Sequence, residues 1–197
     1  MRVHRALSWL CRAEQCEDVD SAFIFLWISF NAAYAQEIDR TLGIGDQDLF
    51  RRFIDRLVDL DTSNDLYSHV WHEFSGSIRL LLDNPFIFHP FWAYQRGEID
   101  AKSWRQSFNS ANTAVKASLA SSDTKTVLGV IFSRLYTLRN QLVHGGATWQ
   151  GRVNRDQIRD GMAIMGKLVP SIIEIMMLNP DSFPGDACYP VVETETV

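Results

Sequence analysis

Cysteine is scarce: Cys11, Cys16 and Cys188 are the only three among 197 residues, and no two form a Cys-x-x-Cys pair. An odd number without such a pair supports neither a disulfide framework nor a zinc ribbon, so free thiols in a reducing cytoplasm are expected. Long apolar runs are also lacking. The longest, Ala22 to Ala35, carries Ser29 and Asn31 and falls short of the roughly 20 residues a membrane-crossing helix needs, so no membrane contact is expected. The opening Met1-Arg2-Val3-His4-Arg5 leads into Arg12, Glu14 and Glu17 without the apolar centre of a signal peptide. Internal repeats are missing, as is the β-branched alternation of a strand. Gly43-Ile44-Gly45 has neither a strand before it nor the Lys-Ser or Lys-Thr of a phosphate-binding loop. Nucleophile elbows are absent. His69-Val70-Trp71-His72-Glu73 fits neither zinc-protease pattern and suggests no third ligand. No metal or cofactor is therefore expected.

What is present reads as all-α. Apolar residues recur at helical spacing within an ordinary globular composition, 46% hydrophobic and 22% charged. The chain is long enough for one large core, expected over residues 1–178. Three prolines and four acids (Asp181, Asp186, Glu193, Glu195) mark 179–197 as a loosely held tail. Helices are predicted from Arg2 to Glu17, from an Asp18 or Asp20 cap to Arg40, and from Asp46 through Leu60. Others run from Thr62 or Ser63 to Leu82, from Asp100 to Ala120, from about Lys125 to Val143, and from Asn154 to Leu178 with a kink at Pro170. The aromatics Phe86, Phe88, Phe91, Trp92 and Tyr94 read as core filling in a short irregular helix.

One helix carries candidate chemistry. Leu128, Ile131, Leu135, Leu138 and Leu142 form its packing stripe. On another face Tyr136, Asn140 and His144 follow one another, with Arg139 and Val143 alongside, and Gly145-Gly146 stops the helix. Arginine, amide and imidazole thus converge at the last turn. Arg-x-x-x-x-His is a loose pattern, since 15 arginines and 5 histidines give about 0.4 matches by chance. Net charge is −5, yet the segment from Lys125 to Arg159 holds Lys125, Arg134, Arg139, Arg152, Arg155 and Arg159 against Asp156 alone, a local +5. A basic strip in an acidic chain suits a phosphate backbone, with Arg134 and Arg152 as substrate contacts and Trp149 as a surface for a base to stack on.

Arg139, Asn140 and His144 on a helix of an all-helical chain resemble the motif of the HEPN family: an arginine, usually a polar residue next, then a histidine four to six residues on. The aromatic stretch from Phe23 to Tyr34, containing Trp27, Phe30 and Asn31, is similar to the early helix of longer prokaryotic members, including some linked to phage defence. The resemblance implies a HEPN-like up-and-down helical bundle with additional helices. It also implies a metal-independent endoribonuclease acting as a homodimer on RNA, in a toxin, stress or defence role. His144 would move protons, Arg139 would hold phosphoryl oxygens, and Asn140 and Tyr136 would orient the imidazole or touch substrate. The alternative is a non-catalytic HEPN-like module binding RNA, a nucleotide, or a partner such as an antitoxin or a nucleotidyltransferase. In that reading His144 merely ends a helix.

Overall fold

Carboxylates start several of the helices. Asp18, extended at φ −109°, accepts the Ser21 N–H at 2.9 Å and opens a helix over Val19–Tyr34. Asp100 does the same through Ser103 and Asp123 through Thr126, at 2.6 and 3.1 Å; each satisfies an N–H that a helix start leaves unpaired. The structure, a computed structural model, describes residues 1–35, 46–152 and 154–185. Among these the α-helices are α1 Arg2–Glu14, α2 Val19–Tyr34, α3 Asp46–Leu60, α4 Asp65–Ser68, α5 Ser75–Asp83, α6 His89–Gln95, α7 Ala101–Ala120, α8 Thr124–Val143 and α9 Arg155–Leu178. No strand occurs among the described residues. The protein is all-α, as its periodicity indicates.

At the centre α2, α8 and α9 meet, with α1 laid along α2 and α3 against α8 and α9. Phe30 stacks on Phe132 at 4.3 Å and meets Phe50 and Phe53 edge-on. Burying each such ring contributes about 2–3 kcal/mol. Gly161 of α9 lets α2 and α8 close in, because a Cβ there would stand 2.9 Å from the Leu135 side chain and 3.2 Å from Phe23. Ser29, wholly buried on α2, donates to the Ala6 carbonyl at 2.7 Å and so fixes α1. By length and composition alone α9 is apolar enough to cross a bilayer, but half of its most apolar window is buried in the bundle.

Several expected boundaries move. The first helix stops at Glu14 instead of Glu17 because Asp18 must be extended to cap α2. The helix expected from Thr62 or Ser63 to Leu82 is three pieces. Asp61 accepts the N–H groups of Asp65 and Leu66, so α4 begins only at Asp65. A π turn, His69–Glu73, follows, in which the Phe74 N–H reaches back five residues to the His69 carbonyl at 3.0 Å. One extra residue per turn re-aims the chain, and α5 starts afresh. The helix continues through Pro170.

The first residues of the stretch expected as a tail pack on the bundle. Pro180–Ser182 form a 3-10 turn and Phe183 is buried against Phe53, with ring centroids 5.8 Å apart. Arg2 donates to the Phe183 carbonyl at 2.7 Å and Arg56 to that of Ser182 at 2.5 Å. A buried aromatic outweighs the prolines on either side of it. The aromatic group at 86–94 is not in the main core. It forms a separate half-buried layer between α6 and α7, in which Phe91 meets Trp104 and Phe88 meets Phe108, both at 5.3 Å. Arg40, Gly43, Gly45, Cys188, Asp186, Glu193 and Glu195 lie outside the described residues.

Candidate active site

The last turn of α8 presents the motif. Leu128, Ile131, Leu135 and Leu138 are buried while Leu142 is half-buried, so the opposite face points outward as the spacing predicts. Tyr136 is 50% exposed, its ring 5.9 Å from Trp27 of α2. One turn later come the half-buried Arg139 and Asn140, then the exposed Val143 and His144. His144 is the C-cap residue, its N–H on the Asn140 carbonyl at 3.0 Å. Gly145 then turns left-handed at φ +70°, a conformation glycine adopts without strain, and its N–H reaches the Leu142 carbonyl at 3.2 Å.

Within the motif Arg139 Nη1 donates to Asn140 Oδ1 at 2.8 Å. Asn140, expected to orient the imidazole or to touch substrate, uses its amide oxygen to hold the guanidinium. Among the described residues this is the one hydrogen bond the guanidinium makes, which leaves further N–H donors for an anion.

Gln141 has no assigned role on sequence grounds, Asp20 is only a candidate helix cap and Arg155 only one charge of the basic strip, yet the three build the frame of the candidate site. Gln141 Nε2 donates to the Phe86 carbonyl at 2.6 Å, and Gln141 Oε1 accepts from Asn154 Nδ2 at 2.5 Å. This ties the end of α8 to the turn before α6 and to the start of α9. Asp20, buried on α2, accepts Arg155 Nη1 at 2.5 Å, Arg155 Nη2 at 3.1 Å and the Gln150 N–H at 2.8 Å. These bonds raise the Arg155 pKa, the Asp20 hydrogen bond being the largest cause. A charged residue inside the otherwise apolar start of α2 was the one signal available for this pairing.

The basic strip is largely neutralised. Lys125 pairs with Asp59 at 2.5 Å, Arg155 with Asp20, and Arg159 with Asp156 at 3.0 Å. Arg134, expected to contact substrate, is only 2% exposed. Its guanidinium lies over the Phe88 ring at 4.4 Å and near Phe108 at 5.5 Å, and donates to the Leu82 carbonyl at 3.3 Å. Arg134 points from α8 toward the aromatic layer, where RNA has no access. That assignment is corrected. Desolvation lowers its pKa to about 10, opposed by the charge of Asp83. Arg139 and the exposed Arg152 are thus the two cations of the strip that neither pair with a carboxylate nor lie buried, among the described residues. Trp149, the proposed stacking surface, is 71% exposed on the loop after the motif.

Elsewhere, His69 Nδ1 bonds Glu73 at 2.8 Å and His69 Nε2 meets Ser171 Oγ of α9 at 3.1 Å, which joins the π turn to the bundle. Among the described residues no three His, Cys, Asp or Glu side chains are grouped so as to hold a metal ion. No protein-family profile, curated protein or solved structure matches the chain.

Proposed function

We propose that this protein is an endoribonuclease that cleaves RNA by attack of the 2′-OH on the adjacent phosphorus. The observation that carries the proposal is that an exposed imidazole, His144 at the C-cap of α8, and a half-buried guanidinium, Arg139, which Asn140 holds from one side, stand five residues apart at the same helix end. In the reaction the 2′-oxygen bonds to phosphorus, the bond to the 5′-oxygen breaks, one proton leaves the 2′-OH and one is delivered to the departing oxygen. Imidazole is suited to either transfer near neutral pH. The guanidinium fork suits the charge that builds on the non-bridging oxygens.

One His144 serves one of the two transfers, so a second copy of the motif across a two-fold axis completes the set, and the proposal includes a homodimer. The resemblance to HEPN proteins extends it to a toxin or defence effector whose protein partner is an antitoxin or a nucleotidyltransferase. The test is incubation of the purified protein with RNA in excess EDTA. The expected result is cleavage with 2′,3′-cyclic phosphate ends, and cleavage that requires added magnesium or manganese contradicts the mechanism.

The second reading is a non-catalytic module, favoured by the neutralisation of the strip, with Lys125, Arg155 and Arg159 in ion pairs and Arg134 buried. It predicts RNA or protein binding without cleavage.

A further inference from the structure

Beside the motif, a groove of about 360 Å3 opens between the first turns of α2 and the loop that follows α8. Ile24 and Phe25 form one wall, Val143 and Trp149 line it from the side of the motif, and Asp20 and Ser21 supply its polar end. Val143 immediately precedes His144, so anything in this groove lies next to the candidate site. A single exposed tryptophan is unremarkable by itself. Here hydrogen bonds fix the residues on either side of it in the loop. The next residue, Gln150, donates its N–H to Asp20 at 2.8 Å, Arg155 clamps the same carboxylate, and the Gly151 N–H closes a turn on the Thr148 carbonyl at 2.8 Å. Asp18 is held below the usual carboxylate range by the backbone and hydroxyl of Ser21, and the Trp149 indole N–H acts in the same direction. The bond from Gln150 and the turn from Thr148 to Gly151 hold the loop's backbone before any ligand arrives, so ordering the loop on binding costs little.

We propose that this groove is a stacking slot for one unpaired nucleobase of the RNA strand whose phosphate lies on Arg139. A flat aromatic ring beside apolar side chains takes up any base through its π face, and the groove is large enough for one base. A base inside a duplex cannot enter, so the slot selects single-stranded or looped RNA. The neighbouring groove past Gln150 contains Arg152 and Arg155 as well as Glu17 and Asp18; Arg155 is already paired with Asp20, which leaves one cation against two carboxylates that repel a phosphate. The backbone consequently follows Arg139.

The slot rests on the ribonuclease reading for the position of the phosphate, and the two fail separately. The probe is an eight-nucleotide 2′-O-methyl RNA, which cannot be cleaved, carrying 2-aminopurine at each position in turn. Wild-type protein is expected to quench one position strongly. Trp149→Ala should abolish that quench and weaken binding roughly 5- to 150-fold, the equivalent of one stacked base. Trp149→Phe should retain most of both, and the same oligonucleotide in a duplex should bind more weakly. Trp149 is exposed, so its truncation leaves the core intact. Wild-type protein that quenches no position, or Trp149→Ala that binds within twofold of wild type with the same quench, overturns the slot even where unmodified RNA is cut. Quenching that depends on Trp149 without cleavage of unmodified RNA keeps the slot and removes the nuclease.

Discussion

Arg134 offers a sharp test of which cations serve the fold. Its guanidinium makes one charged hydrogen bond to Leu82 and lies over Phe88 at 4.4 Å, interactions worth together about 3–5 kcal/mol at a dry site. Against them, Nε and Nη1 are buried without partners and the pKa falls to about 10, which corresponds to about 3 kcal/mol against the charged form. The two nearly cancel. Arg134→Met, which keeps the length and removes the charge, should therefore change stability by less than about 2 kcal/mol, or about 6 °C in Tm for a chain of this size. Arg134→Ala leaves a cavity beneath Phe88 and Phe108 and should cost about 3–5 kcal/mol, roughly 6–20 °C. Above about pH 10 the unfolded chain holds the proton that the folded one releases, so wild type gains stability there relative to Arg134→Met. Thermal melts of the three proteins, with RNA affinity measured alongside, decide the matter. An Arg134→Met protein with unchanged Tm and a tenfold loss of RNA affinity would refute the buried assignment.

Gly161→Ala gains about 1 kcal/mol of helix propensity but drives a methyl to 2.9 Å from Leu135, an overpacking cost of about 1–3 kcal/mol; a Tm lowered by roughly 2–4 °C is expected, and a raised Tm contradicts the close approach of α2, α8 and α9. Asp123→Ala removes the cap of α8 at about 1 kcal/mol. Because hydrogen bonds from the Thr126 side chain and then its backbone hold Asp123 below its ordinary pKa, its contribution is complete above about pH 4 and is lost as pH falls through the lower folded value. The difference between the two melts should accordingly shrink in acid, and a difference that grows there contradicts the assignment. His69→Ala loses the bonds to Glu73 and Ser171 and should lower stability by about 1–3 kcal/mol with no effect on RNA cleavage; lost cleavage in a folded protein would give this second histidine a role in the chemistry.

The helices were legible where a carboxylate cap opens them, as at Asp18, Asp100 and Asp123, and where apolar residues recur at helical spacing. Asp123, Leu128, Leu135 and Gly145 delimit α8 almost to the residue. The π turn at 69–73 was not legible, since its extra residue leaves the spacing of apolar side chains helical throughout. The outward face holding Arg139, Asn140 and His144 followed from periodicity as well. The destination of each charge did not. Arg134 lies one residue from the leucine stripe, so spacing alone left it free to point either way, and the Phe88 and Phe108 rings that receive it come from distant segments. Pairings such as Asp20 with Arg155 span 135 positions, and a net charge summed over a segment cannot anticipate them. Gln141 was hidden for the same reason, as both of its partners are set by tertiary packing.

The central claim is that Arg139 and His144 act on RNA and do not merely finish a helix. The most direct measurement is RNA cleavage in excess EDTA alongside thermal melts for wild type, His144→Ala, Arg139→Ala and Arg139→Lys. Both alanine variants should keep the wild-type Tm within about 3 °C, because the side chains lie outside the core, and should lose cleavage entirely; Arg139→Lys should be nearly as poor, since an ammonium lacks the planar fork. A His144→Ala protein that is folded and cuts RNA at the wild-type rate contradicts the account, as does one whose only change is a lower melting temperature.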